Sequence, residues 1–348
     1  MSWSIDEDVE RIAEECVHDL RALDKSRVLI AGGTGFIGTW LLKVLKHVLE
    51  KGYISLDIHI LTRNSSAFAD RVPDLGTYDG FTFHQGDVSN FSFSPDLKLD
   101  YVFHGATDAS AKLNAENPLH MFRTVVEGTT NMMNVACQAG AKRVLLLSSG
   151  AVYGPQPWDM MHVAETWMGA PDCTNPVQTY AEAKRAAELV AAIYNRDTSL
   201  QVTTARIFAV LGPLLPLGTH FAAGNFLGEA LSKKPAIVRG NGLAVRSYIY
   251  PIDLIKYLLA IWVRGSAGAA YNVGSNHGIS IGDLAKRISQ LVGTGEFEIL
   301  GKADEGWNPG RYVPDLAKVE QELNLTLSID LDQAILSTAK YYAAAIAR

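Results

Sequence analysis

The sequence has few cysteines and no long hydrophobic run. Among its 348 residues it contains three cysteines, Cys16, Cys137 and Cys173, and none of them forms a CxxC pair. Three such cysteines make no disulfide framework, which predicts reduced thiols and a cytoplasmic protein. No run of about 18 apolar residues occurs, so no membrane span is expected. Residues 1–10 are acidic and lack the apolar core of a signal peptide.

Basic residues are not in excess either. The chain carries 31 Lys and Arg against 37 Asp and Glu, which gives a net charge of −6. Because nucleic-acid affinity depends on excess Lys and Arg, this balance argues against a nucleic-acid partner and leaves room for a local anion site. Apolar residues make up 48% of the chain and charged residues 20%, which excludes disordered and collagen-like proteins. No metal site is predicted.

The pattern of apolar residues divides the chain. An amphipathic helix is predicted over Ile5–Leu23, and we interpret residues 1–26 as a helical extension that covers a sheet edge or a subunit surface. From Arg27 onward strands alternate with helices, which predicts an α/β protein with a doubly wound, Rossmann-type parallel sheet. Residues 27–211 are assigned to this dinucleotide-binding domain, with later segments returning to it, and residues 212–348 mainly to a smaller substrate-binding lobe. The predicted strands are Arg27–Ala31, Asp57–Thr62, Phe81–Gln85, Asp100–His104, Arg143–Ser148 and Gln201–Phe208, and the predicted helices are Thr39–Glu50, Pro118–Ala139 and Tyr180–Asn195.

A glycine-rich loop follows the first predicted strand and opens a helix. Gly32, Gly35 and Gly38 have the spacing GxxGxxG. Such a loop provides a tight turn, a close backbone approach to a pyrophosphate and a helix N-terminus that favours negative charge. Because strand, loop, helix and next strand follow in the order that this motif requires, we predict a dinucleotide site here rather than a glycine turn without function.

The end of the second predicted strand bears on the choice between NAD and NADP. NAD-binding folds usually carry Asp or Glu there, whose carboxylate bonds the ribose 2′-hydroxyl. Asp57 opens this strand instead, and Arg63 follows its end. Since arginine pairs with a 2′-phosphate, the sequence modestly favours NADP, the alternative being a solvated Arg63 beside bound NAD. Asp87 and Val88, just past the third strand, are predicted to contact the adenine unless Asp87 only caps a turn.

Hydroxyl, phenol and amine side chains follow the fifth predicted strand. Ser149 lies where that strand ends, at the carboxyl edge that binds ligands in such sheets, and Tyr180 and Lys184 are four residues apart on one helix face. A nearby ammonium favours the phenolate of a tyrosine, and a serine hydroxyl can hold the same substrate oxygen. The set predicts hydride transfer at a carbinol or ketone carbon, with Tyr180 moving the proton. Chance spacing is the alternative for Tyr180 and Lys184 taken alone.

Together these motifs resemble the extended short-chain dehydrogenase/reductases, in particular the nucleotide-sugar epimerase/dehydratase group. The resemblance spans about residues 27–324 and is more specific for the family than for the reaction. It implies that Ser149 is the catalytic hydroxyl, Tyr180 the acid/base, and Lys184 its partner and a contact of the nicotinamide ribose. The matching segments are Gly32–Gly38, Asp87-Val88, His104–Thr107, Ser148–Gly154, Tyr180–Lys184, Arg206–Phe208 with Gly212-Pro213, and Arg246–Asp253.

The same resemblance implies how the ligands are held. Asn225 would contact the substrate diphosphate, and Arg246 and Arg311 would clamp its phosphates or nucleotide, since arginine binds phosphate through two parallel hydrogen bonds. Each arginine is alternatively a surface ion-pair partner. Cofactor-lining residues implied by the resemblance are Thr34, Phe36, Ile37, His104, Gly105, Ala106 and Thr107.

Two features depart from the family pattern. An Asn that many relatives carry in the long helix is replaced by Val125, so its hydrogen bonds must come from elsewhere, such as Thr124 or water. Sugar 4,6-dehydratases of this family carry an Asp-Glu pair just after the catalytic hydroxyl, where this chain has Gly150 and Ala151, which cannot move a proton. A dehydratase is therefore disfavoured unless another acid such as Asp108, more readily a helix N-cap, supplies the base.

Nucleotide-sugar chemistry at C4 is the leading hypothesis. We favour an NDP-sugar 4-epimerase slightly over an NADPH-dependent NDP-4-keto-sugar reductase, which Arg63 favours, and place a 4,6-dehydratase third. A reductase of non-sugar ketones is disfavoured by the implied phosphate contacts, and a non-catalytic cofactor sensor by the intact Ser-Tyr-Lys set. The resemblance makes polysaccharide or deoxysugar synthesis the expected context.

A homodimer is also implied by the resemblance. In it, the helices Pro118–Ala139 and Val177–Asn195 would pair with their symmetry mates in a four-helix bundle. The sequence leaves open which apolar residues of these helices face the core and which the partner; they include Met121, Met132, Leu189 and Ile193.

Overall fold

A computed structural model describes residues 3–92, 94, 96–107, 111–218, 221–302 and 310–346. Three of the six predicted strands have the predicted bounds, and the other three differ by one residue at one end. The strands are β1 Arg27–Ala31, β2 Asp57–Thr62, β3 Phe81–Gln85, β4 Tyr101–His104, β5 Arg143–Ser149, β6 Gln201–Ile207, β7 Ala236–Val238, β8 Val245–Arg246, β9 Ala270–Val273, β10 Ile279–Ser280, β11 Phe297–Ile299 and β12 Arg311–Tyr312.

Helices connect most of these strands. The helix predicted from Thr39 begins three residues earlier, at Phe36, because the glycine loop itself serves as its N-terminus. The helix predicted over Ile5–Leu23 is wrong as one element, since it breaks at Cys16. The helices are α1 Ile5–Glu15, α2 Val17–Ala22, α3 Phe36–Glu50, α4 Ser65–Arg71, α5 Pro73–Gly76, α6 Ala111–Glu116, α7 Pro118–Gln138, α8 Thr179–Asp197, α9 Ala222–Leu231, α10 Pro251–Arg264, α11 Ile281–Val292, α12 Ala317–Leu323 and α13 Leu331–Ile346.

Seven parallel strands form the central sheet, in the order β3-β2-β1-β4-β5-β6-β9. The predicted doubly wound Rossmann-type sheet is thereby confirmed. Successive side chains of a strand point to opposite faces, so β1 contributes Val28 and Ile30 to one core and Leu29 and Ala31 to another. Helices α3 and α10 contribute to the first core, and α7 and α8 to the second. Burial on both faces explains why the strands are nearly continuous apolar runs.

The N-terminal extension packs on helices α3 and α10. Its buried stripe includes Val9, Ile12 and Ala13, as the amphipathic pattern predicted. Polar contacts add to the packing, because Asp8 accepts a hydrogen bond from the hydroxyl of Tyr250, and Asp19 pairs with Arg264 at 2.6 Å. The expectation that this extension covers a sheet edge is corrected, because it packs on the helices beside the sheet. The alternative, that it covers a subunit surface, stays a prediction.

Segments beyond residue 212 serve two parts of the fold. Strand β9 and helix α10 join the central sheet and its first core. Small sheets β10-β8-β12 and β11-β7 lie apart from it, with α9 and α11 packed together beside β7. The domain boundary at residue 211 stays a prediction. None of the helices in the described ranges is long and apolar enough to cross a membrane.

Candidate active site

The direction of winding reverses between β1 and β4. From β1 the sheet continues through β2 and β3 on one side and through β4, β5 and β6 on the other. Ligands of such sheets bind at this switch point, outside the carboxyl ends of the strands. The loops after β1 and β4 meet there, because the amide of Gly105 donates to the carbonyl of Ala31 at 2.8 Å.

Steric fit explains two of the loop glycines. Gly32 has a φ of +94°, and a Cβ added there would lie 2.6 Å from the amide nitrogen of Ala106. A Cβ on Gly38 would lie 2.2 Å from the carbonyl oxygen of Gly32. Gly35 is the N-cap of α3 and makes no side-chain cap bond, so the amides of the first turn face the loop without a competing side-chain acceptor there. This cradle fits a pyrophosphate.

A cavity of about 350 Å³ adjoins the glycine loop. The buried hydroxyl of Thr107 has no hydrogen-bond partner within the described part of the chain, which is the state expected of a ligand contact. Asp87 accepts hydrogen bonds from the amide and hydroxyl of Ser89, which lower the pKa of its carboxyl, so it caps a turn and lines the cavity at once. Predicted cofactor residues that line the cavity are Gly32, Thr34, Gly35, Arg63, Asp87, Val88, Gly105, Ala106 and Thr107.

Phe36 and Ile37, also predicted as cofactor contacts, lie in the first turn of α3 and pack against the core. Where the cavity adjoins the end of β2, Arg63 is joined by Arg71, which sequence reasoning missed. The guanidinium of Arg71 donates to the carbonyl of Thr34. Asp57 lies at the opposite end of β2 and is paired with Arg27, so it does not reach this cavity.

His104 lies buried at the end of β4. Its Nε2 is 3.1 Å from the hydroxyl of Thr129, and its Nδ1 has no partner among the residues described. Burial, together with the positive charge of Lys184, lowers the pKa of His104 to about 3. The ring is therefore neutral at physiological pH and acts as a polar wall beside the reacting residues.

Ser149, Tyr180 and Lys184 come together where β5 ends. The ammonium of Lys184 donates to the carbonyl of Leu147 at 2.8 Å and lies 5.9 Å from the centre of the Tyr180 ring. The start of α8 is held by Asn114, whose side-chain oxygen accepts from the amide of Tyr180 at 3.0 Å. Asn114 was missed by sequence reasoning. Val125 is buried, and Thr124 lines the cofactor cavity.

The ionisation of this set corrects one expectation. Burial lowers the pKa of Lys184 to about 8, against the effect of the negative charge of Glu188. Burial also raises the pKa of Tyr180, and the hydrogen bond with Ser149 opposes this rise. The sequence predicted a lowered pKa for Tyr180. These residues alone do not lower it, because removal from water disfavours the phenolate. An oxidised nicotinamide is cationic and, when bound, supplies further positive charge.

Tyr312 is a second phenol at this centre. Its hydroxyl lies 3.3 Å from that of Ser149 and donates to the carbonyl of Ile207, also at 3.3 Å. Its ring packs on Phe208, with ring centres 4.5 Å apart. Tyr312 follows Arg311 on β12, and no spacing in the sequence pointed to its contact with Ser149. Sequence reasoning chose only Arg311.

The two predicted clamps lie on neighbouring strands. Arg246 on β8 is half-buried, and its guanidinium lies 5.9 Å from the centre of the Tyr312 ring. Burial lowers the pKa of Arg246, and no carboxylate of the described residues pairs with it. Arg311 on β12 stacks on Trp158 at 4.8 Å. Arg246, next to the tyrosine whose hydroxyl approaches Ser149, therefore suits an anionic ligand better than a surface ion pair.

A larger cleft of about 820 Å³ lies in the C-terminal lobe. Asn225 lines it from α9, opposite the segment 237–242 that follows the start of β7. Two cationic side chains, Lys234 and Arg239, and one acidic side chain, Glu229, also line it. Asp108, the alternative base, and the residues just before Gly310 lie outside the described residues.

Comparisons with known proteins agree with this geometry. The model of the NAD dependent epimerase/dehydratase family matches residues 28–274. The chain is 29% identical to UDP-glucuronic acid decarboxylase 1 of Xenopus tropicalis, over 92% of this chain and 72% of that protein. The Arabidopsis thaliana protein of the same name is 28% identical, over 89% and 68%. The structure of a UDP-glucose 4-epimerase from Thermotoga maritima superposes with a TM-score of 0.77 at 22% identity, covering 92% of this chain and 99% of that one.

The fold, the glycine loop and the Ser-Tyr-Lys set define an enzyme of the extended short-chain dehydrogenase/reductase class. This confirms the resemblance seen in the sequence. The family model covers more than half of the chain, and the chain belongs to the NAD dependent epimerase/dehydratase family.

Proposed function

We propose that this protein is an NDP-sugar 4-epimerase. The observation that carries the proposal is the placement of Ser149, Tyr180 and Lys184 where β5 ends. The neighbouring strand β4 leads into the loop that lines the dinucleotide cavity, and Arg246 lies on the other side, against Tyr312. The cleft lined by Asn225 has the size to hold the nucleotide, and Lys234 and Arg239 supply cations for its phosphates. The solved structure with a TM-score of 0.79, at 21% identity over 92% of this chain and 99% of the other, is a UDP-N-acetylglucosamine 4-epimerase from Methanobrevibacter ruminantium.

Each catalytic side chain has a distinct task in this proposal. Tyr180 takes the proton from the C4 hydroxyl and returns it when the sugar is reduced again. Ser149 donates a hydrogen bond to the same oxygen, and Tyr312 holds the serine hydroxyl from behind. Lys184, buried and charged, stabilises the phenolate of Tyr180. When bound, NAD(P) supplies the hydride acceptor and donor.

A 4,6-dehydratase is disfavoured on steric grounds as well as chemical ones. Gly150 occupies the position after Ser149, and a Cβ added there would lie 2.6 Å from the ring of Phe208. An acidic side chain therefore does not fit at Gly150 unless that ring moves. Ala151 offers no proton either.

A second candidate is a nucleotide-sugar decarboxylase. Curated relatives at 26–29% identity over about nine-tenths of the chain are named UDP-glucuronic acid decarboxylases. Oxidation at C4 of a uronic acid makes a β-keto acid. The C5–C6 bond then breaks as CO₂ leaves, the enolate takes a proton at C5 from water, and the hydride returns to C4. Loss of CO₂ needs no base at Gly150-Ala151, so this pair hinders the reaction less than it hinders a dehydration.

One substrate panel separates these reactions. The purified protein is incubated with UDP-glucose, UDP-N-acetylglucosamine or UDP-glucuronic acid, and products are read by chromatography and mass. An epimerase gives a product of unchanged mass with inverted C4, whereas a decarboxylase releases CO₂ from UDP-glucuronic acid. If none of the three nucleotide sugars gives a product with NAD or with NADP, both proposed reactions are contradicted.

For the cofactor we propose a preference for NADP. Arg63 and Arg71 both line the ribose end of the cavity, which Asp57 does not reach. Denaturing the purified protein and identifying the released cofactor tests this. Tightly held NAD contradicts the preference and supports an epimerase cycle, while an empty site that binds NADPH more tightly than NADH favours the ketoreductase.

We also propose that the chain forms a homodimer through α7 and α8. Met121 and Met132 are buried, whereas Leu119, Leu189 and Ile193 are exposed on these helices. The structure thus divides the apolar residues into core and surface sets. Sedimentation is expected to show a dimer at micromolar concentration and a monomer for Leu189→Glu; a monomeric unmodified protein contradicts the proposal.

The three free cysteines support the expected cytoplasmic compartment.

A further inference from the structure

A partly buried ion pair ties α8 to two strands of the sheet. Glu188 lies one turn beyond Lys184 on α8, and its carboxylate accepts from the guanidinium of Arg206 at 2.7 and 3.1 Å. The same carboxylate accepts from the hydroxyl of Ser148 at 2.6 Å. Ser148 on β5 and Arg206 on β6 are register partners. One carboxylate therefore links α8 to the strand whose next residue is the catalytic Ser149.

Further contacts hold the pair in one orientation. Arg206 also donates to the hydroxyl of Tyr153 at 2.8 Å, and Tyr153 donates to the side chain of Asn272 at 2.7 Å. The side chains of Glu188 and Arg206 are each 16% exposed. Four elements of the fold, α8, β5, β6 and β9, are thereby joined around Glu188.

Stability alone is a weak reason for such a pair. Taking two charges out of water costs several kcal/mol per ion, and apolar residues of equal volume often stabilise as well or better. Neither Glu188 nor Arg206 lines the cavity at the glycine loop or the cleft of the C-terminal lobe. The pair therefore acts, if it acts in the reaction, through Ser149 and Lys184.

We propose that Glu188 is a positioning residue for the reaction: it sets the separation between Ser149 and the face of α8 that carries Tyr180 and Lys184. A second effect is electrostatic, because Glu188 lies one helical turn from Lys184. This rests on the proposed hydride transfer at C4. Ser148 transmits the first effect through its hydrogen bond, and the negative charge of Glu188 exerts the second across one helical turn.

Other ionisable groups around Lys184 do not offer this charge. His104 on β4 is neutral, and Tyr180 and Tyr312 are phenols that burial keeps protonated. On the turn Gly150–Tyr153, burial raises the pKa of Tyr153 to about 12. Helix α7, packed along α8, has its charged residues His120, Arg123 and Glu127 exposed, and its Cys137 lies toward Tyr194. On β6 Arg206 is cationic, so Glu188 is the anion that faces Lys184 among these groups.

The sign of the expected effect follows from these charges. Glu188→Gln removes a negative charge and leaves Arg206 unpaired, so both changes disfavour the Lys184 ammonium. The pKa of Lys184 falls, and the alkaline limb of the pH–kcat profile moves to lower pH by about one unit. At pH 7.5 kcat falls by on the order of 10- to 100-fold, while KM and the cofactor Kd stay within about threefold, because no ligand contact is lost.

Two variants serve as controls. Glu182→Gln removes an acid from the same helix, where it pairs with Arg185 at 3.9 Å, and it is expected to leave the profile unchanged. Ser148→Ala keeps the ion pair but cuts its link to β5. It is expected to lower kcat several-fold without moving the alkaline limb, which separates positioning from charge.

A readout without substrate keeps this test apart from the proposed function. Tyrosinate absorbance of the NADP-bound protein, minus that of Tyr180→Phe, follows the ionisation of Tyr180 alone. Its midpoint is expected at higher pH in Glu188→Gln, because a neutral Lys184 no longer stabilises the phenolate. An unmodified protein that turns over no sugar contradicts the proposed function and leaves this titration interpretable.

The outcomes are decisive in both directions. A folded Glu188→Gln with the kcat, alkaline limb and tyrosinate midpoint of the unmodified protein overturns the charge effect, and an unchanged kcat in Ser148→Ala overturns the positioning effect. If Glu188→Gln does not fold, the double variant Glu188→Gln with Arg206→Met removes the orphaned guanidinium. Normal kcat and midpoint in that variant show the pair to be structural only.

Discussion

The proposed cofactor side and the proposed substrate side of the site are built in different ways. On the cofactor side, the loops after β1, β2 and β4 bring backbone groups together, and glycine is required because other atoms stand 2.2–2.6 Å from a Cβ. On the substrate side, α9, β8 and β12 each contribute one or two polar side chains, among them the unpaired Arg246. The first side is sensitive to an added methyl group and the second to a lost charge.

Between the two sides lies the reacting centre, whose loss gives the largest effect. Tyr180→Phe keeps the ring and removes the proton path, so turnover is expected to fall about 1,000-fold or more. Cofactor affinity, measured by fluorescence titration, should change less than about threefold. Tyr194→Phe, on the same helix and bonded to Asn134, is the matched control. Undiminished turnover in Tyr180→Phe means that the proton takes another path.

A methyl group on Gly32 should weaken cofactor binding without affecting the substrate side. Gly32→Ala combines a strained φ with a backbone clash, and we expect a loss of about 3 kcal/mol in stability and about 100-fold in cofactor affinity. Gly140→Ala is the control, because Gly140 also has positive φ, +73°, but nothing within 4 Å of its Cβ. It should cost about 1 kcal/mol and leave cofactor binding intact. Thermal unfolding and cofactor titration of both variants decide the matter; equal losses would refute the steric account.

Loss of the Arg246 charge should weaken substrate binding without affecting the cofactor side. Arg246→Gln is expected to raise KM for the nucleotide sugar about 30-fold, the loss of a charged hydrogen bond, without changing cofactor affinity. Because no described carboxylate pairs with Arg246, stability should hardly change. Arg196→Gln, whose guanidinium is exposed beside Asp197, is the control in the same assay. If the cofactor Kd rises and KM for the nucleotide sugar does not, Arg246 contacts the cofactor and not the substrate, which contradicts this prediction.

The ribose end of the cofactor side sharpens the comparison further. Arg63→Ala is expected to lower the ratio of NADPH affinity to NADH affinity about tenfold. NADPH binding weakens because one charged contact to the 2′-phosphate is lost. Arg71→Ala should lower it as well, while Arg21→Ala, in the N-terminal extension, should not. Competition titrations with both reduced cofactors measure this. An unchanged ratio in both variants leaves NAD as the natural cofactor.

At neutral pH His104 gives the smallest effect, and this effect grows as the pH falls. The pKa of His104 is about 3 when folded and about 6.5 when unfolded, so between these values the unfolded chain binds one more proton. As pH falls from 6.5 toward 3, stability is lost at about 1.4 kcal/mol per pH unit from this group. His104→Gln should lose that component and show a flatter curve in urea unfolding at several pH values. Parallel curves for the two proteins would contradict the buried neutral ring.

Short-range sequence patterns predicted most of the elements of the Rossmann-type sheet. Strand bounds agreed to within one residue because a strand buried on both faces is a short apolar run ended by polar residues or glycine. The glycine loop and the Tyr180–Lys184 spacing were readable because their geometry is set within one turn or one helix. The break at Cys16 was missed, since its apolar stripe continues on both sides of it.

What only the tertiary structure decided involves residues far apart in the chain. Tyr312 meets Ser149 because β12 pairs with β8, and Glu188 joins Ser148 and Arg206 because α8 packs on β5 and β6. The ionisation of Tyr180 and Lys184 likewise follows from burial, which no spacing reveals. Sequence by itself determined the fold class and the dinucleotide loop, because those follow from short-range periodicity and steric demand. Long-range packing decided which charges face one another, because desolvation and distance depend on the assembled fold.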